Sequence, residues 1–145
     1  MTYIIRMRAI FEGVMGKTVF HFKRTYIVLR KEFDDRLSDF NLTTSQFEVL
    51  GYLYQTEGLD QQHLQMCSGI TSATLTGILD KLEQRNLLTR QPSLVDKRAK
   101  IVSLTTHGQE IFTNLIDLTH NFENDMFKGF SLAERALLTD WLQRI

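Results

Sequence analysis

The 145 residues are enough for one domain and too few for two, and 43% hydrophobic with 23% charged residues excludes a wholly disordered chain. Seventeen Lys and Arg balance seventeen Asp and Glu, so any attraction for a polyanion must come from local clustering of charge. A single cysteine excludes an internal disulfide and a cysteine-built zinc site, one proline and eight glycines favour long helices over a turn-rich β sandwich, and no apolar run approaches the roughly 20 residues of a membrane span.

In chain order, Arg6 and Arg8 interrupt the apolar start Met1–Met15 and no small-residue cleavage site follows, so a reducing, cytoplasmic setting is expected. Gly13 to Thr18 has the glycines too close together for a phosphate-binding loop, and residues 1–16 read as an extra arm or helix adding to a dimer surface. Val19, Phe22, Tyr26, Leu29, Phe33, Leu37 and Phe40 recur at steps of three and four, an apolar stripe on a helix over 17–40 that Asn41-Leu42 ends. Thr43, with Gln46 three residues on, caps the next helix, whose buried side is Phe47, Leu50 and Leu53. Gly58 breaks the chain, Asp60 caps a short helix with Leu64 inward, and Ser68-Gly69 turns into a helix from Thr71 or Ser72 to about Arg85. Leu75, Ile78, Leu79 and Leu82 line one face of that second helix, so the pair forms a helix-turn-helix. Leu87–Gln91 and Ala99–Leu104 then read as two short strands joined by a polar, basic hairpin over Pro92–Arg98. Thr105 or Thr106 caps a helix with the stripe Ile111, Leu115, Leu118, Phe122 and Met126. Gly129 stops it, and Ser131 with Glu134 forms a capping box for a last helix carrying Leu137, Leu138, Trp141 and Leu142.

A helix-turn-helix followed by a β hairpin is the order of a winged helix. With Leu75, Ile78, Leu79 and Leu82 inward, a rotation of about 100° per residue turns Ala73, Thr76, Gly77, Asp80 and Gln84 outward and leaves Ser72, Thr74 and Lys81 on the flanks. That small, hydroxylated surface suits the major groove of a duplex, where hydroxyls meet base edges and methyls meet thymine. Gly77 costs about 0.8–1.0 kcal/mol relative to alanine, which asks for a close approach there, either of a groove or of a second helix. From Asp80 to Lys100 six basic residues (Lys81, Arg85, Arg90, Lys97, Arg98, Lys100) face three acidic ones, so a hairpin rich in cations stands beside the helix. The stripes at 17–40, 111–126 and 132–145 exceed what one small core can cover, and a partner subunit is expected. A two-fold dimer would set two such helices about 34 Å apart, one turn of DNA.

The segments Thr74–Glu83, Leu87-Leu88-Thr89-Arg90 and Asp96-Lys97-Arg98-Ala99-Lys100-Ile101-Val102-Ser103-Leu104-Thr105-Thr106-His107-Gly108 closely resemble the MarR family of bacterial transcriptional regulators, the wing segment most specifically. The resemblance implies a mainly α (α+β) winged helix-turn-helix with a two-stranded β-wing in a single domain over 1–145. Residues 42–104 would form the DNA-binding lobe, and 1–41 and 105–145 the helices of a homodimer on a palindromic operator, often as a repressor. It also implies that Arg98 enters the minor groove with Asp96 orienting it. Lys97 stands where the family usually has arginine, which keeps a phosphate contact without bidentate geometry. Small phenolic or aromatic effectors are implied too, for which Phe22, Tyr26, Phe47, Tyr52 and Tyr54 are candidate lining residues; aromatics at helical spacing are more often core.

The expected DNA-binding residues are therefore Ser72, Ala73, Thr74, Thr76, Gly77 and Lys81 on the helix and Asp96, Lys97, Arg98 and Lys100 on the wing. His21, His63, His107 and His120 show no paired metal spacing, and Cys67 reads as a small buried hydrophobe. No arrangement of nucleophile, base or paired carboxylates points to an enzyme, and no cofactor is expected. The rival reading is a winged-helix module that binds protein and no DNA.

Overall fold

The computed structural model describes residues 13–14, 16–93 and 99–145, and its backbone falls into two compact units, one ending at Thr44 and one running from Ser45 to Ile145.

In the first unit, helix α1 (Lys17–Leu37) begins after Gly16, whose φ of 77° favours glycine, and tightens into a 3-10 turn over Ser38–Phe40. Asn41 ends it in the left-handed region at φ 53°, a conformation asparagine tolerates better than most residues. The stripe runs as expected but is unevenly covered: Leu37 is buried, whereas Val19, Phe22 and Tyr26 are 54%, 44% and 60% exposed. Asp34 Oδ1 accepts hydrogen bonds from the Thr44 N–H at 2.7 Å and the Thr44 hydroxyl at 2.8 Å, satisfying an amide at the start of helix α2 (Thr44–Gln55).

In the second unit, Val49, Leu50 and Leu53 of α2 are buried. Gly58 at φ 71° turns the chain into strand β1 (Leu59–Asp60), and the Asp60 carboxylate accepts from the His63 N–H at 2.8 Å to cap helix α3 (Gln61–Ser68). Gly69, left-handed at φ 64°, closes α3, and Thr71 caps helix α4 (Ser72–Gln84). Leu75, Ile78, Leu79 and Leu82 of α4 are buried, as their spacing predicts, and join Leu64, Leu87, Leu88, Val102 and Leu115 in the core. Strands β2 (Leu88–Pro92) and β3 (Lys100–Leu104) pair antiparallel, with Arg90 opposite Val102 and Pro92 opposite Lys100.

Among the described residues the sheet has three strands, in the order β1-β3-β2, where the sequence predicts two. β1 adds itself to the free side of β3 through Leu59 and Asp60 alone, and two residues are too few to leave an alternating pattern. As an edge strand β2 tolerates Pro92.

Helix α5 (Thr106–Met126) is latched to the loop that follows α4. Thr105 accepts from the Gly108 N–H at 2.9 Å, donates its hydroxyl to Asn86 O at 2.7 Å and its N–H to Leu87 O at 3.1 Å. A Cβ on Gly108 would stand 1.9 Å from Leu87 O, so only glycine lets the two backbones approach this closely. Gly129, at φ 95°, follows α5, and the expected Ser131–Glu134 capping box starts helix α6 (Leu132–Gln143), whose Leu137, Trp141 and Leu142 are about half exposed. No helix among the described residues is long and apolar enough to cross a membrane.

Candidate nucleic-acid interface

The candidate site is built on α4. Its Leu-Ile stripe anchors one side in the core, and Ser72, Ala73, Thr74, Thr76, Gly77 and Lys81 are all exposed, as the helical rotation requires. Among the described residues a Cβ placed on Gly77 meets nothing within 4 Å, so no described helix packs closely enough there to require a glycine. Over the first turns of α4 the outermost positions are thus Ala73 and Gly77, a strip nearly bare of side chain that gives way to Asp80 and Gln84 further along, with Thr74 and Lys81 on one flank.

The other flank, Ser72 and Thr76, forms one wall of an open polar cleft of about 780 Å³ whose further walls are Asp60 of β1, Gln61, Gln62 and Gln65 of α3, and Arg90, Ser93, Ala99, Lys100 and Ile101 of the wing. Hydroxyls on α4 are partly committed within the chain. Thr76 donates to Ser72 O at 2.9 Å and accepts from Gln61 Nε2 at 3.3 Å, and the Thr74 hydroxyl lies 2.9 Å from that of Thr71. Gln61 had no visible role in the sequence, because a glutamine at a helix start carries no motif.

Lys100, at the start of β3, and Lys81 are exposed cations beside this face. Asp96, Lys97 and Arg98 lie outside the described residues. Arg90, grouped by sequence with the cations, is instead paired: its guanidinium lies 2.6 Å from Asp80 Oδ1 and donates to Glu83 Oε2 through Nε at 3.0 Å. A cation two residues beyond a buried strand position could have suggested an inward direction, but its partners on α4 are set only by the packing of helix on sheet.

The candidate effector residues are divided between the two units. Phe22 and Tyr26 are exposed on α1, where the Tyr26 hydroxyl accepts from Arg30 Nη1 at 2.9 Å. In the second unit Phe47 stacks on Phe112 at 5.3 Å, Tyr54 lies against the same ring at 4.9 Å, and the Tyr52 hydroxyl donates to Cys67 O at 2.9 Å. Those three aromatics therefore act as packing and tethering groups. Cys67 is exposed, a correction to its expected burial: although only about 60° around α3 from the buried Leu64, it stands in the helix's last turn, where no residue is buried. Among the described residues no group of three or more His, Cys, Asp or Glu could hold a metal ion.

The MarR family model matches residues 42–100, from the residues before α2 to the first residue of β3. The HTH-type transcriptional regulator YdgJ of Bacillus subtilis (strain 168) is 32% identical over 104 residues, covering 72% of this chain and 63% of YdgJ. YwaE, an HTH-type transcriptional regulator of the same organism, is 27% identical over 109 residues, covering 75% of this chain and 64% of YwaE. The chain thus spans just under two thirds of the length of these curated relatives. Among solved structures, the transcriptional repressor CouR bound to a 23-mer DNA duplex is similar with a TM-score of 0.82 at 26% identity, over 90% of this chain and 95% of that one. Helix-turn-helix, wing and the matched segments agree: over residues 42–100 the chain matches the MarR family.

Proposed function

We propose that this protein is a sequence-specific DNA-binding transcriptional regulator that acts as a homodimer on a palindromic operator, as a repressor. The observation that carries the reading is the bare strip at Ala73 and Gly77. A helix accepts the destabilisation of a mid-helix glycine, no described residue comes within 4 Å of a Cβ there, and the close approach of a groove floor is what a bare position would serve. Ala73, Thr74 and Gly77 would meet bases first, with Ser72 and Thr76 on the flank facing the wing. Lys81 and Lys100 would neutralise phosphates, as would Lys97, while Arg98 would enter the minor groove with Asp96 orienting it. The duplex bound to CouR supports the same reading. The half-exposed apolar faces of α1 and α6 support a second subunit, since each leaves large side chains in water.

Selection of bound duplexes from a random pool, followed by a salt titration of the winner, tests this. The expected result is a palindrome with half-sites about 10 base pairs apart and a steep linear fall of log K with log[salt]. A pool that yields no sequence, or an affinity insensitive to salt, would refute DNA recognition and leave the protein-binding module in its place.

A further inference from the structure

Strand alternation puts Arg90 on the same face of β2 as the buried Leu88, so its side chain runs toward α4 rather than outward. The side chain is 16% exposed and reaches two carboxylates one helical turn apart. Nη2 pairs with Asp80 at 2.6 Å and also with Glu83, and Nε donates to Glu83 at 3.0 Å. The hydrogen bond from Arg90 holds the Glu83 carboxyl below its ordinary range, so the pair is fully ionised at neutral pH. Beyond Arg90 the strand is exposed at Gln91 and Pro92, and on its other side β3 is paired with only the two residues of β1. Short hairpins are marginal by themselves, so the outer wing depends on what ties it down. Two carboxylates and one guanidinium also leave this corner with a net charge of −1, a poor seat for a phosphate.

We propose that Arg90 is a positioning residue for DNA recognition: forked between Asp80 and Glu83, it sets the angle between the reading helix α4 and the wing strands β2 and β3. The proposal rests on the DNA-binding reading above. Its signature is a sign reversal. If these charges acted only through space, removing Asp80 or Glu83 from a DNA-facing surface would tighten binding. As parts of a clamp, their loss frees the wing and weakens it.

The test uses the full chain and a fluorescein-labelled duplex of about 30 base pairs carrying the selected palindrome, with a scrambled duplex alongside, in anisotropy titrations over a range of KCl concentrations. Arg90→Gln is expected to weaken binding to the palindrome about tenfold with an unchanged salt slope, since no phosphate contact is lost. Asp80→Asn and Glu83→Gln are expected to weaken it as well, and Arg90→Lys, which keeps the charge without the fork, to fall between. Lys100→Gln, a phosphate control, should reduce the slope by about 0.9. Tighter binding by Asp80→Asn and Glu83→Gln, or a slope reduced by about 0.9 in Arg90→Gln, would overturn the clamp. Amide hydrogen exchange over 88–92 and 100–104 provides an arm without DNA. Faster exchange in Glu83→Gln, at unchanged helical content, supports the clamp, and unchanged exchange overturns it. A wild-type chain that binds neither duplex refutes the DNA reading, and exchange then decides the clamp by itself.

Discussion

Replacing Gly77 with alanine separates folding from recognition. The residue lies in the interior of α4, its φ is not in the left-handed region, and an added methyl meets nothing within 4 Å. Helix propensity then acts unopposed, and alanine should stabilise the fold by about 0.8–1.0 kcal/mol. With an unfolding entropy near 2.1 cal/mol/K per residue, 145 residues convert this to a rise in Tm of about 3 °C. If the bare strip lies against a groove floor, the same methyl overpacks that contact by about 1–3 kcal/mol, a loss of affinity of about fivefold or more. Calorimetry and anisotropy on the same preparation read both numbers. A higher Tm with undiminished affinity would show that α4 meets DNA by another ridge. A lower Tm would show that the space over Gly77 is filled, and the case for a groove-facing strip would fail.

Other substitutions test the scaffold. Gly108→Ala forces a methyl to within 1.9 Å of the Leu87 carbonyl and should cost at least about 3 kcal/mol in urea unfolding, with a loss of less than about 1 kcal/mol counting against the backbone latch. Asp34→Ala removes both acceptor contacts to Thr44 and should cost about 1–2 kcal/mol, which Asp34→Asn recovers in part through its remaining oxygen; equal losses in the two variants would contradict this. The carboxyls of Asp60, Glu83 and Glu134 are all held below their ordinary values, by hydrogen bonds from the His63 N–H, from Arg90 and from the Ser131 N–H. The unfolded chain therefore binds more protons, so their contribution is present above about pH 4 and lost as pH falls through the folded values. Tm should fall more steeply below about pH 4 in the wild type than in an Asp60→Asn, Glu83→Gln, Glu134→Gln variant, and parallel curves would remove these groups from the acid limb.

Much of this architecture is written in near-neighbour patterns. Steps of three and four placed α1, α4 and α5, and Asp60, the Thr105-Thr106 pair and the Ser131–Glu134 box marked helix starts, because caps and stripes are settled by residues within a turn of one another. The outward set on α4 followed from the same rotation, and all six of its candidate residues are exposed. Contacts between segments distant in sequence left no such trace. β1 exists only because β3 offers a free edge, and Cys67 is exposed although it follows the buried Leu64 by one helical turn. Gly108 is required by a carbonyl 21 positions earlier, and the cation of Arg90 is neutralised by carboxylates seven and ten positions before it. Periodicity along the chain determined which faces turn inward. Only the packing of helix on sheet decided which charges on the outward faces still confront solvent, because pairing depends on distances in space that spacing in sequence does not encode.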